Sequence, residues 1–117
     1  MTDIQNIDPF SLSLPEDWRA EPRNGSVIFK PKQIQRRHGL YSLTLAETAP
    51  DITPVDMRGD TSFHIRSAEG GSGGPEHFLT LWRAEGSKWL VLEAHQQTDP
   101  APDFAEAWAI FESVSVK

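Results

Sequence analysis

Apolar Phe10, Leu12 and Leu14 alternate with Ser11 and Ser13, a period of two that predicts a half-buried strand ended by Pro15. Trp18 follows in Glu-Asp-Trp and is expected to fold back onto the core. Two further runs, Ser26–Lys30 (SVIFK) and Leu40–Glu47 (LYSLTLAE), read as the next strands. In the second, Tyr41, Leu43 and Leu45 alternate with Ser42 and Thr44, although Leu40 breaks the pattern. The stretch Thr48–Asp60, with its prolines and acids, reads as an irregular connection. Thr61–Ser67 then resumes the alternation, with Phe63 and Ile65 on one face and His64 and Arg66 on the other.

The most informative pattern comes next. HFLTLWRA and KWLVLEAH flank Glu85-Gly86-Ser87-Lys88, and Gly-Ser is a two-residue hairpin loop. A turn there makes the numbers of paired residues sum to 173. One face then carries Phe78, Trp82, Trp89 and Val91, with Thr80 opposite Glu93 and His95 opposite Phe78. The other carries Leu79, Leu81, Leu90, Leu92 and Ala94. Both faces are largely apolar, so the hairpin is expected at the centre of a sheet, covered on both sides. After Pro100 and Pro102, Phe104, Trp108 and Phe111 fall at helical spacing behind Asp103 and Glu106, which predicts an amphipathic helix over the leucine face. The product is one α+β domain over residues 1–117, a five- or six-stranded antiparallel sheet with a C-terminal helix packed on it.

Composition narrows the chemistry. The chain has 117 residues, no cysteine and a formal net charge of −6. That excludes disulfides, thiolate nucleophiles and Cys-ligated metals. No apolar run reaches membrane-span length, and the first ten residues lack the basic and apolar regions of a leader. On the residues as given the expected location is the cytoplasm, or the periplasm if a leader has been removed. From Trp89 to Val116 there is no Lys or Arg, which disfavours nucleic acid as a partner. The exception is Lys30, Lys32, Arg36 and Arg37 beside His38, read as a solvated loop rather than a phosphate site.

No residue pattern marks catalysis. Gly70-x-Ser72-x-Gly74 has the letters of a nucleophile elbow, but a β-type segment follows where a helix is required. The same loop lacks the third glycine of a dinucleotide fingerprint and the lysine of a phosphate loop. It reads as an exposed connection, or as a mobile probe tipped by Glu69 and Glu76 that orders on a partner. His38, His64, His77 and His95 show no metal-ligand spacing, and Asp51, Asp56 and Asp60 lack the spacing of a calcium loop. The expectation is therefore no metal, no cofactor and no enzyme. The polar run Glu93–Asp99 carries Gln96 and Gln97, whose amides suit hydrogen bonding to a protein.

Phe-x-Leu-x-Leu-Pro-x-x-Trp at 10–18, SLTL at 42–45, GGSGGPEHFLTLWRA at 70–84, WLVLEAHQQ at 89–97 and PDFAEAWAIFESV at 102–114 together resemble the small immunity proteins of bacterial type VI secretion systems. The likeness is greatest to those neutralising peptidoglycan-cleaving muramidase effectors, and is best over residues 69–114. It implies a PsbP-like antiparallel sheet flanked by helices, acting by binding and obstructing the effector's substrate groove without catalysis. The sequence departs from those members in showing no export or lipoprotein leader. The expected partner is thus a cognate effector, met by a monomer through Glu69, Ser72, Glu76, Gln96 and Gln97 as one surface, with Tyr41 and Asp56 as additions. A rival from another class is an effector-loading chaperone or adaptor, which needs an exposed apolar groove. A third is an enzyme using His64, His77 or His95 with an acid, which needs a convergent pocket.

Overall fold

The structure is a computed structural model that describes residues 2–31, 40–98 and 101–116. Its elements in chain order are β1 (Thr2–Ile7), β2 (Phe10–Pro15), β3 (Trp18–Arg23), β4 (Ser26–Pro31), β5 (Tyr41–Ala46), β6 (Asp56–Arg58), β7 (Thr61–Ala68), β8 (Glu76–Glu85), β9 (Lys88–Gln97), α1 (Ala105–Ser113) and β10 (Ser115–Val116). A single 3-10 turn, Gly71–Gly73, joins β7 to β8. Lys32, Arg36, Arg37 and His38 of the basic cluster lie outside the described residues, as do Asp99 and Pro100.

The strands form two antiparallel sheets rather than the expected one of five or six strands. The larger has seven strands in the order β3-β4-β5-β9-β8-β7-β6, and the smaller has three in the order β1-β2-β10. The additional strands are short or polar pieces whose side chains alternate weakly. β3 is one, a charged edge strand carrying Pro22 where no partner strand needs its N–H. It is joined to β4 by Asn24-Gly25, the tight-turn dipeptide, with both residues at positive φ (25° and 84°). β6 is another, a three-residue edge inside the segment expected to be irregular.

The hairpin β8–β9 pairs as the alternation predicts, Glu76↔Gln97 through Glu85↔Lys88, and stands in the middle of the large sheet. Its leucine face is the centre of the core. Leu79, Leu81, Leu90 and Leu92 are buried with Phe10, Leu12 and Leu14 of β2 and with Ala107, Trp108, Ile110 and Phe111 of α1. The helix and the small sheet therefore form one layer over that face. Phe104 is buried as expected, but it precedes the helix in a left-handed conformation (φ 55°). Asp103 Oδ1 accepts from the Ala105 N–H at 3.0 Å, meeting a donor that the first turn leaves unpaired. At the other end, the Arg83 guanidinium donates to the carbonyls of Phe111 (3.2 Å) and Val114 (2.8 Å), where a cation suits the helix dipole.

Trp18 does return to the core. It is buried, stacks on Tyr41 with ring centroids 4.5 Å apart, and its indole N–H donates to Glu106.

Candidate functional site

Successive residues of a strand point to opposite faces, so the registers decide which polar side chains meet. On the face away from the helix, β7, β8 and β9 stack three rows. Ala68, Glu76 and Gln97 form the first, nearest the Gly-rich loop. Arg66, Phe78 and His95 form the second. His64, Thr80 and Glu93 form the third, which Ser42 of β5 extends.

The first row holds the loop in place. Gln97 Nε2 donates to the carbonyls of Gly70 (2.7 Å) and Gly74 (2.9 Å), and the Thr98 N–H donates to the Pro75 carbonyl (3.1 Å). A side chain at position 70 would meet Gly74 O at 2.2 Å and Gln97 Nε2 at 2.7 Å, so only glycine allows this approach. The loop is thus a pinned turn in the free protein, not a probe awaiting a partner. Glu69 and Ser72 remain exposed on it. Glu76 Oε1 lies 3.1 Å from His95 Nε2, and since the carboxylate accepts, that nitrogen carries the proton.

The second and third rows line an open cleft of about 480 Å³, bounded also by Leu40 and Ile52. Arg66 places its guanidinium 4.0 Å from the Phe78 ring centre, and the His95 ring lies 4.8 Å from Phe78 on the opposite strand. Beyond these rows the face turns apolar and closes, with Trp82 and Val91 buried. The hairpin is therefore covered on both sides only at that end. At the other end its outer face is open.

The expected contact residues divide along this parity. Glu69, Ser72, Glu76 and Gln97 gather at the loop end. Gln96 points the other way, 8% exposed, and accepts a 3.3 Å hydrogen bond from Tyr41, itself 0% exposed. Burial foremost, then Glu106 and Asp103, raise the Tyr41 phenol well above its ordinary pKa. Tyr41 and Gln96 thus form an interior pair and do not join the loop residues as one surface. Asp56 is exposed on edge strand β6, opposite Phe63 and away from the loop.

His77 is interior as well. Its Nε2 donates to the Thr98 carbonyl at 2.9 Å, leaving Nδ1 to accept from Ser67 Oγ at 2.7 Å, a strut at the sheet end. His64 and His95, by contrast, share the cleft with Glu93. Neither His64 nor His95 is hydrogen-bonded to a hydroxyl among the described residues, so within the cleft no base–nucleophile pair of the kind covalent catalysis needs is formed among them. Nor do three His, Asp or Glu side chains converge as metal ligands among the described residues. No helix is long and apolar enough to cross a membrane.

Reading the chain alone did not single out the cleft. Its signals were present separately: Thr80 opposite Glu93, His95 opposite Phe78, and His64 with Arg66 on one face of their strand. Joining them required the register between β7 and β8, which no tight turn sets.

Comparison with known proteins places this architecture. The family model described as the type six secretion immunity 3 domain matches residues 11–115. The immune protein Tsi3 of Pseudomonas aeruginosa strain PAO1 is 36% identical over 92 residues, covering 75% of this chain. The chain spans 59% of that relative's length. A crystal structure from Bacteroides thetaiotaomicron VPI-5482 superposes with a TM-score of 0.68 over 93% of this chain and 45% of that one. At 13% identity it shows the fold alone.

Proposed function

The chain belongs to the type six secretion immunity 3 family, and from that premise we propose that it binds a cognate bacterial effector and occludes its active site without catalysis. The observation that carries this reading is the family match over residues 11–115. The geometry supports it through the loop end of the outer face. There Gln97 holds the Gly70–Gly74 turn in one conformation and presents Glu69 and Ser72 to solvent. A preorganised loop loses little entropy on binding, which favours affinity. The formal charge of −6 favours encounter with a basic partner.

In this reading residues 1–117 act as one monomeric, PsbP-like immunity domain. The effector is a peptidoglycan-cleaving enzyme, so the encounter is periplasmic. The contact set is Glu69, Ser72, Glu76 and Gln97, with Asp56 on a separate edge. Tyr41 and Gln96 contribute from behind by supporting the β5–β9 pairing. An effector-loading adaptor has less support. Among the described residues the exposed large apolar side chains are Ile4, Leu40, Ile52, Val55, Met57 and Ile65, and of these two alone, Leu40 and Ile52, border the cleft, short of the apolar groove an adaptor needs.

The test is co-expression with the protein encoded beside it, followed by calorimetry and a toxicity-rescue assay. Tight binding and rescue are expected. A neighbour that is toxic but neither bound nor neutralised overturns the reading. Changing Glu69→Lys and Ser72→Lys together reverses the loop's charge without touching the Gln97 hydrogen bonds. Affinity should fall at least ~10-fold, about 1.4 kcal/mol. Unchanged affinity removes the loop from the interface.

A further inference from the structure

The outer-face cleft has a chemistry that the loop does not use. Its floor is the row Ser42, Glu93, Thr80 and His64, side chains on four adjacent strands in register. Neighbours in such a row stand about 5 Å apart, so one entering group reaches several of them. Its rim is apolar, formed by Leu40 and Ile52, which are 47% and 39% exposed. Its third wall is the row Arg66, Phe78 and His95.

The polar groups of that wall already have neighbours, although Arg66 has no ion pair among the described residues. Arg66 lies against the Phe78 ring, and His95 meets Glu76. Glu93 differs. It is exposed on the floor and has neither a hydrogen bond nor an ion pair among the described residues. Among the described residues the cleft thus contains one carboxylate with no hydrogen bond or ion pair, flanked by two hydroxyls, with aliphatic side chains at the rim and the Arg66 guanidinium and His64 ring in the same lining.

We propose that this cleft receives a single basic side chain, arginine or lysine, projected by the effector, with Glu93 as its counter-ion. The inference rests on the effector-binding reading above. A long basic residue has an aliphatic stem and a charged head, which matches an apolar rim over a carboxylate floor. The Ser42 and Thr80 hydroxyls supply acceptors for the donors that Glu93 leaves over. Other occupants fit less well. An acidic side chain would face Glu93 directly. An aromatic or aliphatic plug would fill the rim but cover the carboxylate without a partner, at a desolvation cost. The pocket also matches the sign of the whole molecule, since a chain of charge −6 attracts a basic partner before any contact forms.

The cleft can be tested without the effector. The full chain is titrated with N-acetyl-arginine amide, N-acetyl-lysine amide and N-acetyl-glutamate amide, followed by NMR amide shifts. The expected result is saturable shifts at Leu40, Ser42, Thr80 and Glu93 with the two basic probes only. Glu93→Gln should weaken them at least ~10-fold, in line with losing one charge pair. This exposed position leaves the fold intact, which the rest of the spectrum verifies. Equal shifts from the acidic probe, no shifts in the cleft, or indifference to Glu93→Gln overturn the proposal. In a second arm, the effector from the co-expression experiment is measured against Glu93→Gln. Tight binding by the parent chain with no loss in the variant refutes the cleft but leaves effector binding standing. Failure of the parent chain to bind refutes the broader reading.

Discussion

The two faces of hairpin β8–β9 are made from alternate residues of the same twenty, yet they do opposite things. Leu79, Leu81, Leu90 and Leu92 are sealed under α1 and β2, where each buried side chain adds about 1.5–3 kcal/mol to stability. Phe78, Thr80, Glu93 and His95, at the alternate positions of the same two strands, line an open cleft. A sheet with one face packed and the other partly open can change its outer residues without disturbing its core. That separation suits a protein matched to one partner, because recognition varies while the fold persists.

The contrast is sharpest at two adjacent residues. Leu92→Ala removes a fully buried side chain and is expected to cost about 2–5 kcal/mol, seen as a lower urea midpoint. Glu93→Gln should stay within about 0.5 kcal/mol of the parent. Comparable losses at both would break the assignment of the outer face to recognition. At the junction of face and loop, Gly70→Ala forces a methyl group against Gly74 O and Gln97 Nε2. A loss of about 1–3 kcal/mol is expected, with faster hydrogen exchange at Gly74 and Thr98, whose amides the pinned turn protects. Normal stability and protection would show that the turn is not held as described.

A smaller loss than at Leu92 belongs to the interior Tyr41–Gln96 pair. Because burial raises the folded-state pKa of Tyr41, the unfolded chain loses its phenolic proton first, near pH ~10. The contribution of Tyr41 to stability is therefore complete below that pH and is lost as pH rises toward the folded value. Tyr41→Phe, missing one hydrogen bond, should cost about 1 kcal/mol at neutral pH and should remove this alkaline decline. Tyr41 is the only tyrosine, so phenolate absorbance reports it alone. Ionisation near pH ~10 in the folded protein would contradict its interior placement.

Much of the fold was legible because local chemistry specifies it. Gly86-Ser87 set the hairpin register, and the leucine alternation set its buried face. The helix was legible from Phe104, Trp108 and Phe111, although its first turn begins after Phe104. The missed strands lacked that signal. β1 mixes Ile4 and Ile7 with polar residues, β6 has three residues, and β3 carries Pro22. Asn24-Gly25 did announce the β3–β4 hairpin, and only the weak pattern before it obscured the strand. The candidate site was less legible. Glu69, Ser72, Glu76 and Gln97 were grouped from composition and position, and the strand registers bring them to the same end of the sheet. Pairing Gln96 with Gln97 overlooked the parity that puts them on opposite faces.

The amino-acid sequence by itself determined the central hairpin, its register, the amphipathic helix, the acidic character and the family. These depend on residues close along the chain, or on composition. Only the tertiary structure decided that the strands divide into sheets of seven and three, that Gln97 pins the glycine turn, and that Ser42, Glu93, Thr80 and His64 stand in one row. Those outcomes depend on pairing between strands far apart in sequence. Such registers are chosen by the packing of the whole core, which no single segment encodes.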